Sequence, residues 1–99
     1  MRTMNQDIAA KRLAELGNVT RLCIFRLLVK AGTQGLTVGE IQSRLEIPGS
    51  TLSHHISRLM SADLVRQHRE GRILHCVAEL EAVEELASFL LSECCSLGQ

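Results

Sequence analysis

The stretch STLSHHISRL, residues 50–59, sets two adjacent histidines, His54 and His55, among hydroxyls and one arginine. Imidazoles ligate metals and move protons near neutral pH. Four cysteines elsewhere in the 99-residue chain add thiol chemistry. The histidine spacing suits neither metal chelation nor catalysis. Metal pairs on a helix sit three or four residues apart, where side chains share a face. Adjacent side chains diverge by about 100° around a helix. No phosphate-cradling glycine loop, nucleophile–base pair or coupled carboxylate pair accompanies them, so neither an enzyme nor a resident cofactor is expected.

Placed on a helix over 50–61, the same stretch has a different use. Leu52, Ile56, Leu59 and Met60 follow the i, i+4, i+7, i+8 spacing of a buried face. Thr51, His54 and Arg58 lie together on the other side, beside a stripe of Ser50, Ser53 and Ser57. That face offers hydroxyls, an imidazole and a guanidinium, and no carboxylate. Such groups donate to phosphates and to base edges in the major groove of double-stranded DNA. His55 follows Leu52 by three and precedes Leu59 by four, so it borders the core; a half-buried hydrogen bond is expected there, together with a phosphate contact. A plain solvated helix face is the competing reading, and the flanking elements weigh against it.

Before this helix, TVGEIQSRL carries Thr37 with Glu40 three residues on, a capping box. EIPG then makes a tight turn, so the two helices form a helix-turn-helix. After it, residues 64–78 change period. Two runs rich in Val, Ile and Leu flank Glu70-Gly71, which predicts a hairpin. With those two residues as the loop, Arg69 faces Arg72, Gln67 faces Leu74, Val65 faces Cys76, His68 faces Ile73 and His75 faces Arg66. Like charges opposed across a hairpin are unfavourable, which suits a site filled by a polyanion. His68 and His75 beside arginines read as wing residues rather than ligands.

Further out, a helix over about 5–16 has Ile8, Leu13 and Leu16 as its apolar side. Asn18 caps the next helix, VTRLCIFRLLVK, which is apolar nearly all round and is expected at the buried centre. The last helix, ELEAVEELASFLLSECC, turns Val83, Leu86, Ala87, Leu90 and Leu91 toward a partner surface. The predicted fold is mainly α with a small β-hairpin wing: a winged helix-turn-helix of order α-α-(α-α)-β-β-α, with residues 1–99 as a single domain.

Composition narrows the partners. Net charge is zero, yet residues 2–30 hold six basic and two acidic groups, and residues 44–72 hold five arginines against three acids. Residues 79–93 carry five glutamates and no basic residue. A basic body and an acidic last helix are hidden in the total. Two phenylalanines are the only aromatic rings of the Phe, Tyr and Trp types, too few for a single-strand stacking platform. The polar start and the lack of a long apolar run predict a cytoplasmic protein with no membrane partner, and thiols rather than disulfides.

Through ELGNVTRLCIFRLL, GLTVGEIQSRLEIPGSTLSHHISRLMSADLV and REGRILHCVA, the chain resembles the ArsR/SmtB family of bacterial repressors over roughly residues 8–95. The resemblance implies a homodimer built on the first and last helices. It implies binding to an inverted-repeat operator through helix 50–61 and the wing 64–78, relieved by an effector. On the matching motif Ser50, Thr51, Ser53, His54 and Arg58 face DNA, and Arg69 and Arg72 are wing contacts. A winged-helix module that binds protein instead of DNA is the alternative left open by the neutral total and the acidic helix.

Sensing sites in that family vary. The positions matching a Cys-x-Cys sensor are Thr37 and Gly39, and the last helix has no histidine for zinc. The vicinal pair Cys94-Cys95 resembles arsenite-responsive members that add a third cysteine shortly downstream. No cysteine follows Cys95, so the third thiolate for arsenite would come from Cys23, Cys76 or a partner chain. A redox switch at Cys94 or Cys95 is the other thiol reading. Cys23, in the most apolar helix, and Cys76, facing the hairpin's inner side, are expected to be small buried hydrophobes.

Overall fold

The computed structural model of the chain describes residues 4–92. Helix α1, Gln6–Leu16, starts at Asn5, whose side chain accepts the Ile8 N–H at 2.9 Å. Helix α2, Val19–Ala31, is capped the same way by Asn18 on the Arg21 N–H at 3.0 Å. A single 3-10 turn over Gly32–Gln34 leads into a two-residue strand, β1, Leu36–Thr37. Helix α3, Val38–Leu45, has the expected capping box: the Glu40 N–H donates to Thr37 Oγ1 at 3.1 Å, and the Thr37 N–H donates to Glu40 Oε1 at 2.8 Å. That backbone donor also holds the Glu40 carboxyl below its ordinary pKa. Helix α4, Gly49–Ser61, follows Pro48. Strands β2, Val65–Glu70, and β3, Ile73–Ala78, form the hairpin, and α5, Leu80–Leu91, closes the order.

The three strands form one antiparallel sheet in the order β1-β3-β2. Strand β1 is too short to carry a sequence pattern, and only its pairing of Leu36 with Cys76 and Thr37 with His75 reveals it. Gly35, just before it, lies so near β3 that a Cβ there would sit 2.2 Å from the Cys76 carbonyl oxygen.

The hairpin register differs from the sequence expectation by two residues. Glu70 pairs with Ile73, Arg69 with Leu74, His68 with His75, Gln67 with Cys76, Arg66 with Val77 and Val65 with Ala78. The loop is therefore Gly71-Arg72, with glycine first at φ 66°, the position that a II′ turn reserves for glycine. A shift of two keeps every side chain on its expected face. Cys76 still points inward, but Arg69 does not oppose Arg72, and the inference from opposed like charges falls.

The core gathers Ile24, Phe25 and Leu28 of α2, Ile41 of α3, Leu52, Ile56 and Leu59 of α4, and Leu64, Val65 and Cys76 around the sheet. Three expectations about the helices are corrected. Met60 is exposed, because the buried stripe of α4 closes on Leu52, Ile56 and Leu59. Helix α2 buries only one side: Val19, Leu22, Val29 and Cys23 all face outward, so Cys23 is not a core residue. Helix α1 buries Ala9, Arg12 and Glu15, while Leu13 is exposed. On α5, Ala82 and Leu86 are buried, and Leu80, Leu90 and Leu91 are exposed, Leu91 by 89%.

Candidate nucleic-acid interface

Seating Leu52, Ile56 and Leu59 in the core turns the rest of α4 outward. Ser50, Thr51, Ser53, His54, Ser57 and Arg58 are all exposed, and no acidic residue occurs on this helix. Among the described residues no side chain caps its N-terminus at Pro48, so the first-turn N–H groups and the positive end of the helix dipole suit an anion. The wing places Arg69 and Arg72 at its exposed tip, one near the end of β2 and one in the turn. His68 and His75, expected apart, are cross-strand partners: their rings stack 5.1 Å apart at 10° between planes, and His75 Nε2 lies 3.3 Å from Glu70 Oε1.

One flank of α4 meets α1 and α2 rather than solvent, and polar groups hold that contact. Arg58 Nε donates to Glu15 Oε1 at 2.9 Å. Glu15 is only 3% exposed, while the Arg58 side chain is half exposed. Arg21 donates its Nε–H to the Glu15 carbonyl oxygen at 2.7 Å and lies 3.5 Å from the same carboxylate oxygen; Lys11 Nζ is 3.9 Å from the other oxygen. The Arg58 hydrogen bond above all, opposed by burial, lowers the Glu15 pKa.

Arg21 Nη1 is 3.2 Å from His55 Nδ1. Guanidinium has no acceptor, so Arg21 donates and the neutral ring carries its hydrogen on Nε2. Burial first, then the Arg21 and His54 charges, lowers the His55 pKa. The half-buried hydrogen bond expected of His55 is present. Arg58, expected on the outer stripe as a DNA-facing residue, has its Nε committed to Glu15.

A second tie lies at the end of α4. Arg12, 2% exposed, donates its Nε–H to the Ala62 carbonyl at 3.1 Å, and its Nη1 reaches the Ala82 carbonyl at 3.2 Å and Glu85 Oε1 at 3.4 Å. Sequence reading passed over Arg12, Glu15 and Arg21. A signal existed: Ile8, Arg12 and Glu15 follow the i, i+4, i+7 spacing of one helix face, which sets two opposite charges in line with an apolar residue.

Among the described residues, no group of three His, Cys, Asp or Glu side chains comes together as a metal set, and no helix is long and apolar enough to cross a membrane. Cys76 is buried, accepts from Gln67 Nε2 at 3.4 Å, and burial raises its thiol pKa. Cys94 and Cys95 lie outside the described residues.

A helix pair with an exposed, carboxylate-free second helix and a hairpin beside it defines a winged helix-turn-helix protein. A family model described as a helix-turn-helix domain matches residues 16–68, just over half the chain. An HTH-type transcriptional regulator of Methanocaldococcus jannaschii is 36% identical over 63 residues, covering 64% of this chain and 68% of that protein. The ArsR-like transcriptional regulator from Rhodococcus sp. RHA1 shares the fold with a TM-score of 0.76 at 23% identity, over 85% of this chain and 76% of that one. The transcriptional repressor PagR of Bacillus anthracis superposes with a TM-score of 0.71 at 25% identity, over 85% and 93% of the two chains. The chain belongs to the ArsR family of winged helix-turn-helix transcriptional regulators, a non-enzymatic family of DNA-binding proteins.

Proposed function

We propose that this regulator is a homodimeric repressor that grips an inverted-repeat operator, with α4 of each protomer in the major groove and the wings on flanking backbone. The observation that carries the reading is the outer face of α4: Ser50, Thr51, Ser53 and His54 all exposed, with no carboxylate on the helix to repel phosphate. His55 adds the Nε2–H left by its bond to Arg21, and Arg58, Arg69 and Arg72 add charge. Exposed Leu13 on α1 and Leu80, Leu90 and Leu91 on α5 support a dimer through the first and last helices, since such apolar surface favours a partner. Two-fold symmetry would set the half-sites about one helical turn apart.

Selection of bound duplexes from a random pool tests this reading. A palindromic consensus is expected, bound with steep salt dependence. His54→Ala is expected to weaken that duplex roughly tenfold without changing the melting temperature. A protein that enriches no sequence, while capturing a protein partner stably, would be an interaction module instead.

For the effector, the reading rests on the thiols. Cys94 and Cys95, with exposed Cys23 as a further ligand, are proposed to take arsenite or an oxidant and release DNA. Serine at both Cys94 and Cys95 should abolish the response; an identical response would move the sensor elsewhere.

A further inference from the structure

We propose that Glu15 is a positioning residue for DNA binding: from behind the recognition helix, its buried carboxylate orients the Arg58 guanidinium for its contact with DNA. The inference rests on the reading of α4 as the DNA-facing helix.

The geometry has three parts. First, Arg58 is bound through Nε, at 2.9 Å, and among the described residues not through its terminal nitrogens. A carboxylate on Nε leaves Nη1 and Nη2, the pair that makes parallel hydrogen bonds to a phosphate or a guanine edge. The half-exposed side chain lets that pair reach outward. Second, Glu15 is itself fixed. It sits 3% exposed on the inner face of α1, with its own carbonyl tied by Arg21 at 2.7 Å and Lys11 near its other oxygen. An arginine on an exposed helix face ordinarily samples many rotamers and loses that freedom on binding. Here the ordering is done in the free protein. Third, the arrangement links elements: Glu15 belongs to α1 and Arg58 to α4, so a displacement of α1 moves the anchor of a DNA-facing side chain. Arg21, held by the same residue, reaches His55 on the same flank of α4.

The test is a double-mutant cycle, read by fluorescence anisotropy on the duplex that wild type selects and repeated over a salt series. Arg58→Ala removes the contact: about tenfold weaker binding and a salt slope flatter by about 0.9 are expected. Glu15→Gln and Glu15→Asp keep the Arg58 charge but lose, respectively, the anion and the reach. Each should weaken the selected duplex roughly fivefold with the salt slope unchanged. In the Arg58→Ala background, Glu15→Gln should lose most of its effect.

A merely structural glutamate would lower affinity equally in both backgrounds, and that result overturns the proposal. So does wild-type affinity in both Glu15 variants. Melting curves on the same samples identify unfolding, which would weaken selected and random duplexes alike and counts as the structural outcome. Failure of wild type to select any duplex is seen before a variant is made, and removes the DNA reading together with this one.

Discussion

Replacing Arg12 by methionine should destabilise the protein by about 2 kcal/mol. The guanidinium is buried and donates to the Ala62 carbonyl at 3.1 Å, the Ala82 carbonyl at 3.2 Å and Glu85 at 3.4 Å. Methionine fills the space of the stem but donates nothing. The Ala62 carbonyl, in the turn after α4, then becomes a buried acceptor without its partner, at about 1–3 kcal/mol. The Ala82 carbonyl lies within α5 and keeps its helical role, so its loss is smaller. The Glu85 contact is to a side chain about one-third exposed, and such pairs contribute under about 1 kcal/mol. Against these stands the relief of a desolvated charge, which favours the apolar side chain. The balance near 2 kcal/mol corresponds to a fall of roughly 8–16 °C in Tm for a domain of this size. Urea unfolding followed by circular dichroism, at one protein concentration, measures it. Arg12→Lys should recover little, because a single ammonium cannot reproduce the fork. An Arg12→Met protein as stable as wild type, or more so, would refute the view that Arg12 ties α1 to the end of α4.

Gly35→Ala combines a φ of +68° with a Cβ 2.2 Å from the Cys76 carbonyl oxygen; a loss of about 3 kcal/mol or more is expected in the same unfolding assay. Leu52→Ala, at a fully buried position under α4, should lose about 2–5 kcal/mol. The Glu15 pKa is depressed from its ordinary 4.5 in the folded state. Its contribution is therefore fully present above pH 4.5 and lost as pH falls through the lower folded value. Acid unfolding of Glu15→Gln should show a shallower decline below pH 4.5 than wild type, and parallel curves would remove Glu15 from the acid response.

Patterns with a local cause were legible in the chain. Asn18 caps α2 and Thr37 with Glu40 boxes α3 because both motifs close within three residues, inside one helical turn. The split between His54 and His55 followed from helix geometry alone, and His55 does make its half-buried bond. The α4 residues expected outside are exposed, and Met60, expected inside, is exposed with them. Where two faces were nearly equal in hydrophobicity the pattern failed. Helix α2 is apolar on most sides, and nothing in it says that Cys23 and Leu22 face out while Ile24 and Leu28 face in. Helix α1 defeats the pattern for the opposite reason: its core-facing positions hold Arg12 and Glu15, which look like solvent residues until their partners on α2, α4 and α5 are known.

By itself, the sequence determined the order of the five helices and the hairpin, the winged helix-turn-helix class and the carboxylate-free face of α4, because caps, period and residue type act within a few residues. Only the tertiary structure decided the hairpin register, since Glu70-Gly71 and Gly71-Arg72 both offer a glycine turn and keep the same faces. It alone paired His68 with His75 and added β1 to the sheet. It alone brought Glu15 of α1 against Arg58 of α4, 43 residues later in the chain. A buried charge is tolerated only with a partner, and which partner arrives is a property of packing between helices rather than of either helix.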